Sequence, residues 1–107
     1  MVEETAGLAS RMTRRLRKKG WTISTAESCT GGLLASLITD ISGASQWFSQ
    51  GWIVYSNEAK MNLLNVSEDT LKQFGAVSEE TAVEMAMGSI NSAKSDIAVS
   101  ITGIAGP

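Results

Sequence analysis

Three short segments with the pattern of β-strands, separated by helical patterns, constrain the fold of this 107-residue chain more than any other feature. In residues 21–26, Trp21, Ile23 and Thr25 alternate with the smaller side chains of Thr22, Ser24 and Ala26. Residues 51–56 and 97–102 are rich in β-branched and aromatic residues. The segments between them repeat apolar residues with a period of about 3.6, which is typical of helices. Helices that alternate with strands predict an α/β fold, with a largely parallel sheet in a three-layer α/β/α arrangement.

Five helices are predicted, and residues that favour helix termini bound them. The first helix covers residues 3–19 and ends before Gly20, and the second starts at Leu33 and ends between residues 40 and 43. Asn57 is the predicted N-cap of the third helix. The fourth lies between Ser67 and Gly75, and the fifth begins after Ser78.

The predicted sheet is small, and the sequence ends in a glycine-rich segment directly after its third strand. Three strands are few for a parallel sheet that helices cover on both faces. We expect residues 1–107 to form a single domain whose C-terminal elements are missing. The strand at 97–102 would then have an open edge that pairs with another copy of the chain, which predicts a homo-oligomer.

The composition restricts the chemistry of any active site. The chain has no histidine, which excludes a Ser-His-Asp triad, a Cys-His pair and a zinc site of the usual type. Cys29 is the only cysteine, so it cannot form an internal disulfide, and this fits a reducing cytoplasm. No apolar run is long enough to cross a bilayer, and the N-terminus lacks the apolar core of a secretory signal.

The charge distribution argues against binding to nucleic acid. The net charge is −2, although six of the nine basic residues lie within residues 11–19. This stretch is either a patch for RNA or phosphate or a solvated helix face. We favour the solvated face, because Glu3 and Glu4 lie at the opposite end of the same helix, so that both ends complement the helix dipole.

The turn after the first strand carries the first candidate site, since ligands of parallel α/β sheets bind at the carboxyl ends of strands. Ser28 and Thr30 offer hydroxyls there, and backbone amides near Gly31 and Gly32 suit a developing oxyanion. The structural alternative is that Ser28 or Thr30 is only the N-cap of the next helix.

The ends of the other two strands carry further candidates. Lys60, once desolvated beside a serine, would serve as a general base with a lowered pKa, and Tyr55 precedes it in the same segment. The structural alternative places Lys60 on the surface and packs Tyr55 against the sheet. Thr102 and Gly103 would line the same crevice from the third strand.

Four segments in order along the chain resemble the CinA C-terminal family: residues 25–32, 55–60, 75–78 and 102–107. The resemblance extends from about residue 5 to the end of the chain. It implies an amidohydrolase that converts nicotinamide mononucleotide to nicotinic acid mononucleotide and ammonia, with no metal or organic cofactor. The family domain continues beyond the glycine-rich segment, so we expect weak or no amidase activity from these 107 residues alone.

Together with the local chemistry, the resemblance predicts a histidine-free mechanism. Ser28 would attack the carboxamide carbon, Lys60 would take the serine proton, and Tyr55 would relay or orient that proton. The residues expected to bind substrate or the oxyanion are Thr30, Gly31, Gly32, Thr102 and Gly103.

Three alternatives stay open at this point. Thr30 is a second candidate nucleophile. The second alternative is that Cys29 is the nucleophile, in a Cys-Lys-Glu arrangement with Lys60 and either Glu27 or Glu58. Asn57 is an additional candidate contact in the site. The third alternative is a catalytically inactive module of the same fold that binds a nucleotide or another protein.

Overall fold

The first strand in sequence is the central strand of a three-stranded parallel sheet. A computed structural model describes residues 3–104. Its elements are α1 (Glu3–Lys19), β1 (Ile23–Glu27), α2 (Leu33–Thr39), a 3-10 helix (Ala44–Gln46), β2 (Phe48–Ile53), α3 (Asn57–Leu64), α4 (Glu68–Phe74), α5 (Glu79–Ala93) and β3 (Ile97–Ile101). The strand order is β2-β1-β3, which confirms the predicted α/β fold with parallel pairing.

Helices cover both faces of the sheet, as the three-layer prediction requires. All five residues of β1 are buried, with Ile23 directed to one face and Ala26 to the other. On the first face a cluster unites α1, β1 and α2 through Leu16, Ile23 and Ile38. On the second face Ala26 packs with residues of α3, α4 and α5, among them Met85.

Most predicted element boundaries are confirmed to within a residue or two. Gly20 ends α1 with a positive φ of 70°, and Ser67 and Ser78 cap α4 and α5 through their side chains. The strand β1 begins at Ile23, two residues later than predicted, because the amide of Trp21 still donates to Leu16 at the end of α1. Strand β3 ends at Ile101, one residue earlier than predicted.

The second strand was predicted too late in the chain. It spans Phe48–Ile53 rather than residues 51–56, since Phe48 pairs with Ile23 and packs against the cluster on the α1 face. The prediction of Asn57 as an N-cap is also wrong. Ser56 holds that position, and its hydroxyl accepts from the amide of Ala59 at 3.0 Å.

Helix α3 is held against α5 by a close backbone approach. A Cβ atom at Gly88 would lie 2.1 Å from the carbonyl oxygen of Leu64, so only glycine fits at this crossing. Because α3 also carries Lys60, the contact at Gly88 helps to set the position of that side chain relative to the sheet.

The third strand has one free edge. Strand β3 pairs with β1 on one side, and no other strand among residues 3–104 pairs with it. Residues 105–107, the last part of the predicted glycine-rich segment, lie outside the described residues. In the part of the chain that is described, no helix has the length and apolar character that a membrane span requires.

Candidate active site

Lys60 is a buried lysine whose ammonium nitrogen has three oxygen neighbours. Only 1% of the residue is exposed. Its Nζ donates to the Ser28 hydroxyl at 3.1 Å, to the Val54 carbonyl at 2.8 Å and to the Tyr55 carbonyl at 3.1 Å. The structural alternative of a surface lysine is therefore wrong.

The two carbonyl contacts determine where a neutral Lys60 would direct its lone pair. A neutral amine has two N–H groups and one lone pair, and the carbonyls of Val54 and Tyr55 can accept from both N–H groups. The third direction then leads to Ser28 Oγ, and a lone pair there can accept the serine proton. The backbone thus orients Lys60 as a base towards Ser28.

Burial lowers the pKa of Lys60 below the ordinary range of a lysine, because desolvation penalises the charged ammonium. The electrostatic influence of Cys29 acts in the opposite direction and raises the pKa of Lys60 by a smaller amount. A lowered pKa increases the fraction of neutral amine near neutral pH, which is the form that a general base requires.

Ser28 lies at the carboxyl end of β1 and is 6% exposed. Its amide donates to the Ile101 carbonyl at 3.0 Å, and its hydroxyl lies 3.4 Å from the Tyr55 carbonyl. The ends of all three strands therefore meet at this serine, as the sequence predicted. Ser28 does not cap α2, because Gly32 occupies the N-cap position.

Glu27 joins the turn at 28–32 to the first turn of α2. Its carboxylate accepts from the Thr30 hydroxyl at 2.7 Å and from the amides of Leu34 and Ala35 at 2.8 and 3.0 Å. The Thr30 hydroxyl is thus turned towards Glu27, and Thr30 is not the N-cap of α2 either. This capping role of Glu27 was not predicted, since a helix cap normally lies directly before the helix.

The two glycines of the turn have left-handed backbones, with φ values of 62° for Gly31 and 103° for Gly32. The amide of Gly31 donates to the Ser28 carbonyl at 3.2 Å. Among residues 3–104, the amides of Cys29, Thr30 and Gly32 donate no hydrogen bond, unlike the amide of Gly31.

The loop after β3 lies beside the same turn. A Cβ atom at Gly103 would lie 3.3 Å from Cys29 Sγ, which shows how closely the two segments approach. The hydroxyl of Thr102 donates to the Ala76 carbonyl at 2.8 Å, so it braces the loop before α5. Substrate contacts of Thr102 and Gly103 stay predictions.

Tyr55 is 69% exposed, which contradicts the alternative of a tyrosine packed against the sheet. Its contact with Lys60 and Ser28 runs through its backbone carbonyl. Asn57 and Glu58 are exposed in the first turn of α3. The role of the Val54 carbonyl as an acceptor for Lys60 was also not predicted, because no pattern of side chains identifies a backbone acceptor.

The basic stretch of α1 lies near the opposite end of the sheet. Lys19 is 5.0 Å from the centre of the Trp21 ring, just before β1 begins, whereas Ser28 follows the end of β1. Whether this stretch is a phosphate patch or a solvated face, it is therefore separate from the site at Ser28.

Residues 5–107 of this chain match the family model described as the CinA C-terminal domain. This chain belongs to that family. It is 53% identical over 104 residues to a nicotinamide-nucleotide amidohydrolase PncC of Escherichia coli, covering 97% of this chain and 63% of the relative. A protein of the same name from Enterobacter agglomerans is 59% identical over 92 residues, 86% of this chain and 56% of the relative. The family member described here thus spans about three fifths of these two proteins.

Solved structures of the same superfamily have the same fold. The competence/damage inducible protein CihA of Agrobacterium tumefaciens superposes with a TM-score of 0.93 at 43% identity, covering 100% of this chain and 65% of that one. A CinA superfamily protein of Klebsiella pneumoniae superposes with a TM-score of 0.95 at 41% identity, covering 98% and 66%.

Proposed function

We propose that this chain carries the Ser28–Lys60 dyad of an amidohydrolase that converts nicotinamide mononucleotide to nicotinic acid mononucleotide and ammonia. The observation that carries the proposal is the 3.1 Å contact between Lys60 Nζ and Ser28 Oγ, formed by a lysine that is 1% exposed and has a lowered pKa. The names of two relatives, both nicotinamide-nucleotide amidohydrolases, support the substrate class.

In the first half of the reaction, Ser28 Oγ attacks the carboxamide carbon and its proton passes to the neutral Lys60 amine. The C=O bond becomes a C–O⁻ bond in the tetrahedral intermediate. The intermediate then collapses, the C–N bond breaks, and Lys60 returns the proton to the departing nitrogen, which leaves as ammonia. A serine ester of the nicotinic acid group remains.

In the second half, a water molecule attacks the ester carbon and gives its proton to Lys60. The ester C–O bond breaks, Ser28 Oγ takes the proton back, and the carboxylic acid is released. Amide plus water therefore gives acid plus ammonia, and both Ser28 and Lys60 return to their starting protonation states.

Backbone amides of the turn after β1 would stabilise the oxyanion. The candidates are the amides of Cys29, Thr30 and Gly32, since the amide of Gly31 is already bonded to Ser28. One well-placed donor is typically worth about 3–4 kcal/mol in the transition state. Gly31 was predicted to bind the oxyanion, but in this proposal it shapes the turn through its positive φ.

Ser28 is a better nucleophile candidate than its neighbours. Lys60 donates to Ser28, whereas the Thr30 hydroxyl is bonded to Glu27. In the Cys-Lys-Glu alternative, the carboxylate of Glu27 is engaged by α2 and Glu58 is exposed. These contacts support the serine mechanism over both alternatives.

Ammonia release from nicotinamide mononucleotide, measured beside the E. coli relative as a positive control, tests the proposal. Calorimetry with the same nucleotide provides the second measurement. Turnover would support the amidohydrolase, and binding without turnover would favour the inactive nucleotide-binding module. A chain that neither binds nor hydrolyses the nucleotide, while the relative does both, would contradict both functions.

Substitution of Tyr55 by Phe tests the predicted proton relay. We expect Tyr55→Phe to keep most of the parental kcat, because the contact with Lys60 runs through the backbone carbonyl, which the substitution preserves. A loss of about 10²-fold or more in kcat, the scale of a lost proton-transfer group, would instead support a relay through the phenol hydroxyl.

We further propose that the protein is a cytoplasmic homo-oligomer. The unpaired edge of β3 within residues 3–104 supports self-association, because such an edge presents free N–H and C=O groups. The lone Cys29 supports a reducing compartment. Static light scattering that reports a monomer at micromolar concentration would contradict the oligomer.

A further inference from the structure

Glu27 is a buried carboxylate, and burial of such a group requires hydrogen-bond donors that satisfy its oxygens. The residue is 1% exposed, and none of the ion pairs among residues 3–104 involves it. Three donors compensate its charge: the Thr30 hydroxyl at 2.7 Å and the amides of Leu34 and Ala35 at 2.8 and 3.0 Å. Burial of a charge is costly unless hydrogen bonds of this kind satisfy it, so each of the three contributes to keeping Glu27 in place.

Glu27 makes contacts at both ends of the turn at residues 28–32, which contains Ser28. The backbone carbonyl of Glu27 accepts from the amide of Val54, and the carbonyl of Val54 accepts in turn from Lys60. Its side chain reaches across the turn to Thr30 and α2. Ser28 lies between these two anchors, so its position depends on both.

The turn between the anchors contains the two residues with the greatest backbone freedom. Gly31 and Gly32 have positive φ values of 62° and 103°, and glycine has little intrinsic preference for these over other conformations. Without a side-chain contact across the turn, several backbone arrangements would be accessible. The glycine pair lies between Thr30 and Leu34, and the Glu27 carboxylate accepts from the Thr30 hydroxyl before it and from the amides of Leu34 and Ala35 after it, so that these contacts together select one arrangement.

We propose that Glu27 and Thr30 act together as a clamp that positions Ser28 against Lys60, and that neither of them is a nucleophile or a proton-transfer group. This inference rests on the proposed function, because it assigns positioning residues to the same Ser28–Lys60 dyad. It also gives Thr30 a role that differs from the substrate contact predicted for its hydroxyl, since that proton is donated to Glu27.

Thr30→Val tests the clamp with the smallest change, because it replaces the hydroxyl by a methyl group and leaves the two amide contacts of Glu27 intact. We expect kcat for amide hydrolysis to fall about 10-fold to 100-fold, the range associated with small misplacement of a reacting group. KM should change little, and Tm should stay close to that of the parent. Thr30→Ser retains the hydroxyl and should restore most of the lost kcat.

Thr39→Val, at the last residue of α2, is the matched control for Thr30→Val. It removes another threonine hydroxyl, one that donates to the Ala35 carbonyl at 2.8 Å at an exposed site, and should leave kcat near parental. Glu27→Gln is the second test of the clamp. An amide cannot accept from all three donors, so we expect a larger loss of kcat than in Thr30→Val, together with a lower Tm.

The rate at which a fluorophosphonate probe labels Ser28 provides a readout that does not need the nucleotide. We expect Thr30→Val to slow labelling by about the same factor as kcat, and Thr30→Ser to restore it. If the parent is labelled but does not release ammonia from nicotinamide mononucleotide, the proposed amidohydrolase activity fails for this chain, whereas the clamp is still tested by the labelling rates alone.

Three results would overturn the clamp. The first is parental labelling and kcat in Thr30→Val. The second is a loss in Thr30→Val that follows a fall in Tm and that Thr30→Ser does not restore, because this would describe a structural residue only. The third is a folded parent that the probe does not label, since no activated hydroxyl would then exist to be positioned, and this result would overturn the dyad as well.

Discussion

In an amidase-active form of the protein, Ser28→Ala is expected to abolish amide hydrolysis and to leave the fold intact. The substitution removes the oxygen that would form the covalent ester, so the expected loss in kcat is at least about 10³-fold. Stability should change little, because a neutral Lys60 keeps the carbonyls of Val54 and Tyr55 as acceptors for its two N–H groups. Ammonia release measures the first effect, and circular dichroism with thermal melting measures the second.

Cys29→Ser is the matched control for Ser28→Ala, because it changes the adjacent side chain in the same turn. It should retain activity if Ser28 is the nucleophile. The opposite result, an inactive Cys29→Ser variant and an active Ser28→Ala variant, would show that the serine mechanism is wrong. It would favour the Cys-Lys-Glu alternative instead.

Lys60→Arg is expected to have nearly as large an effect, because arginine keeps the positive charge but does not deprotonate at accessible pH. The loss of a general base typically costs about 10² to 10⁴ in rate. Lys60→Met is the companion variant, since methionine fills a similar buried volume and removes both the charge and the base. Both variants should lose kcat, and near-normal rates in either would remove Lys60 from the mechanism.

The lowered pKa of Lys60 also predicts the direction of two pH effects. The parental rate should rise with pH through a pKa below the ordinary lysine range, because the neutral amine is the active form. The free energy of unfolding should also rise with pH between the folded and the ordinary unfolded pKa, since the unfolded chain binds more protons in that window. Lys60→Met should lack this increase in stability, and an unchanged pH dependence in that variant would contradict a buried titrating lysine.

The elements that depend on local pattern could be predicted from the sequence. Ser67 and Ser78 mark the starts of α4 and α5, and Gly20 marks the end of α1, because each acts on the backbone within a few residues of itself. The alternation of helices and strands predicted a parallel sheet, and the strand ends predicted that Ser28 and Lys60 would lie in one region.

The boundaries of β2 could not be predicted, because its length depends on partners elsewhere in the chain. Phe48 belongs to the strand since it pairs with Ile23, and the backbone carbonyls of Val54 and Tyr55 bind Lys60. A pattern of side chains contains no information about which backbone acceptors a distant lysine will use.

The sequence by itself determined the fold class, most of the helix ends, the absence of histidine chemistry and the candidates Ser28 and Lys60. Only the tertiary structure decided that these two side chains, 32 residues apart, form a contact, that Lys60 is buried and that Glu27 holds the turn between β1 and α2. The physical reason is the range of the interactions. Caps and periodicity act over a few residues of backbone, whereas desolvation and hydrogen bonding within the dyad arise only after the parallel strands pair and α3 packs against α5 at Gly88.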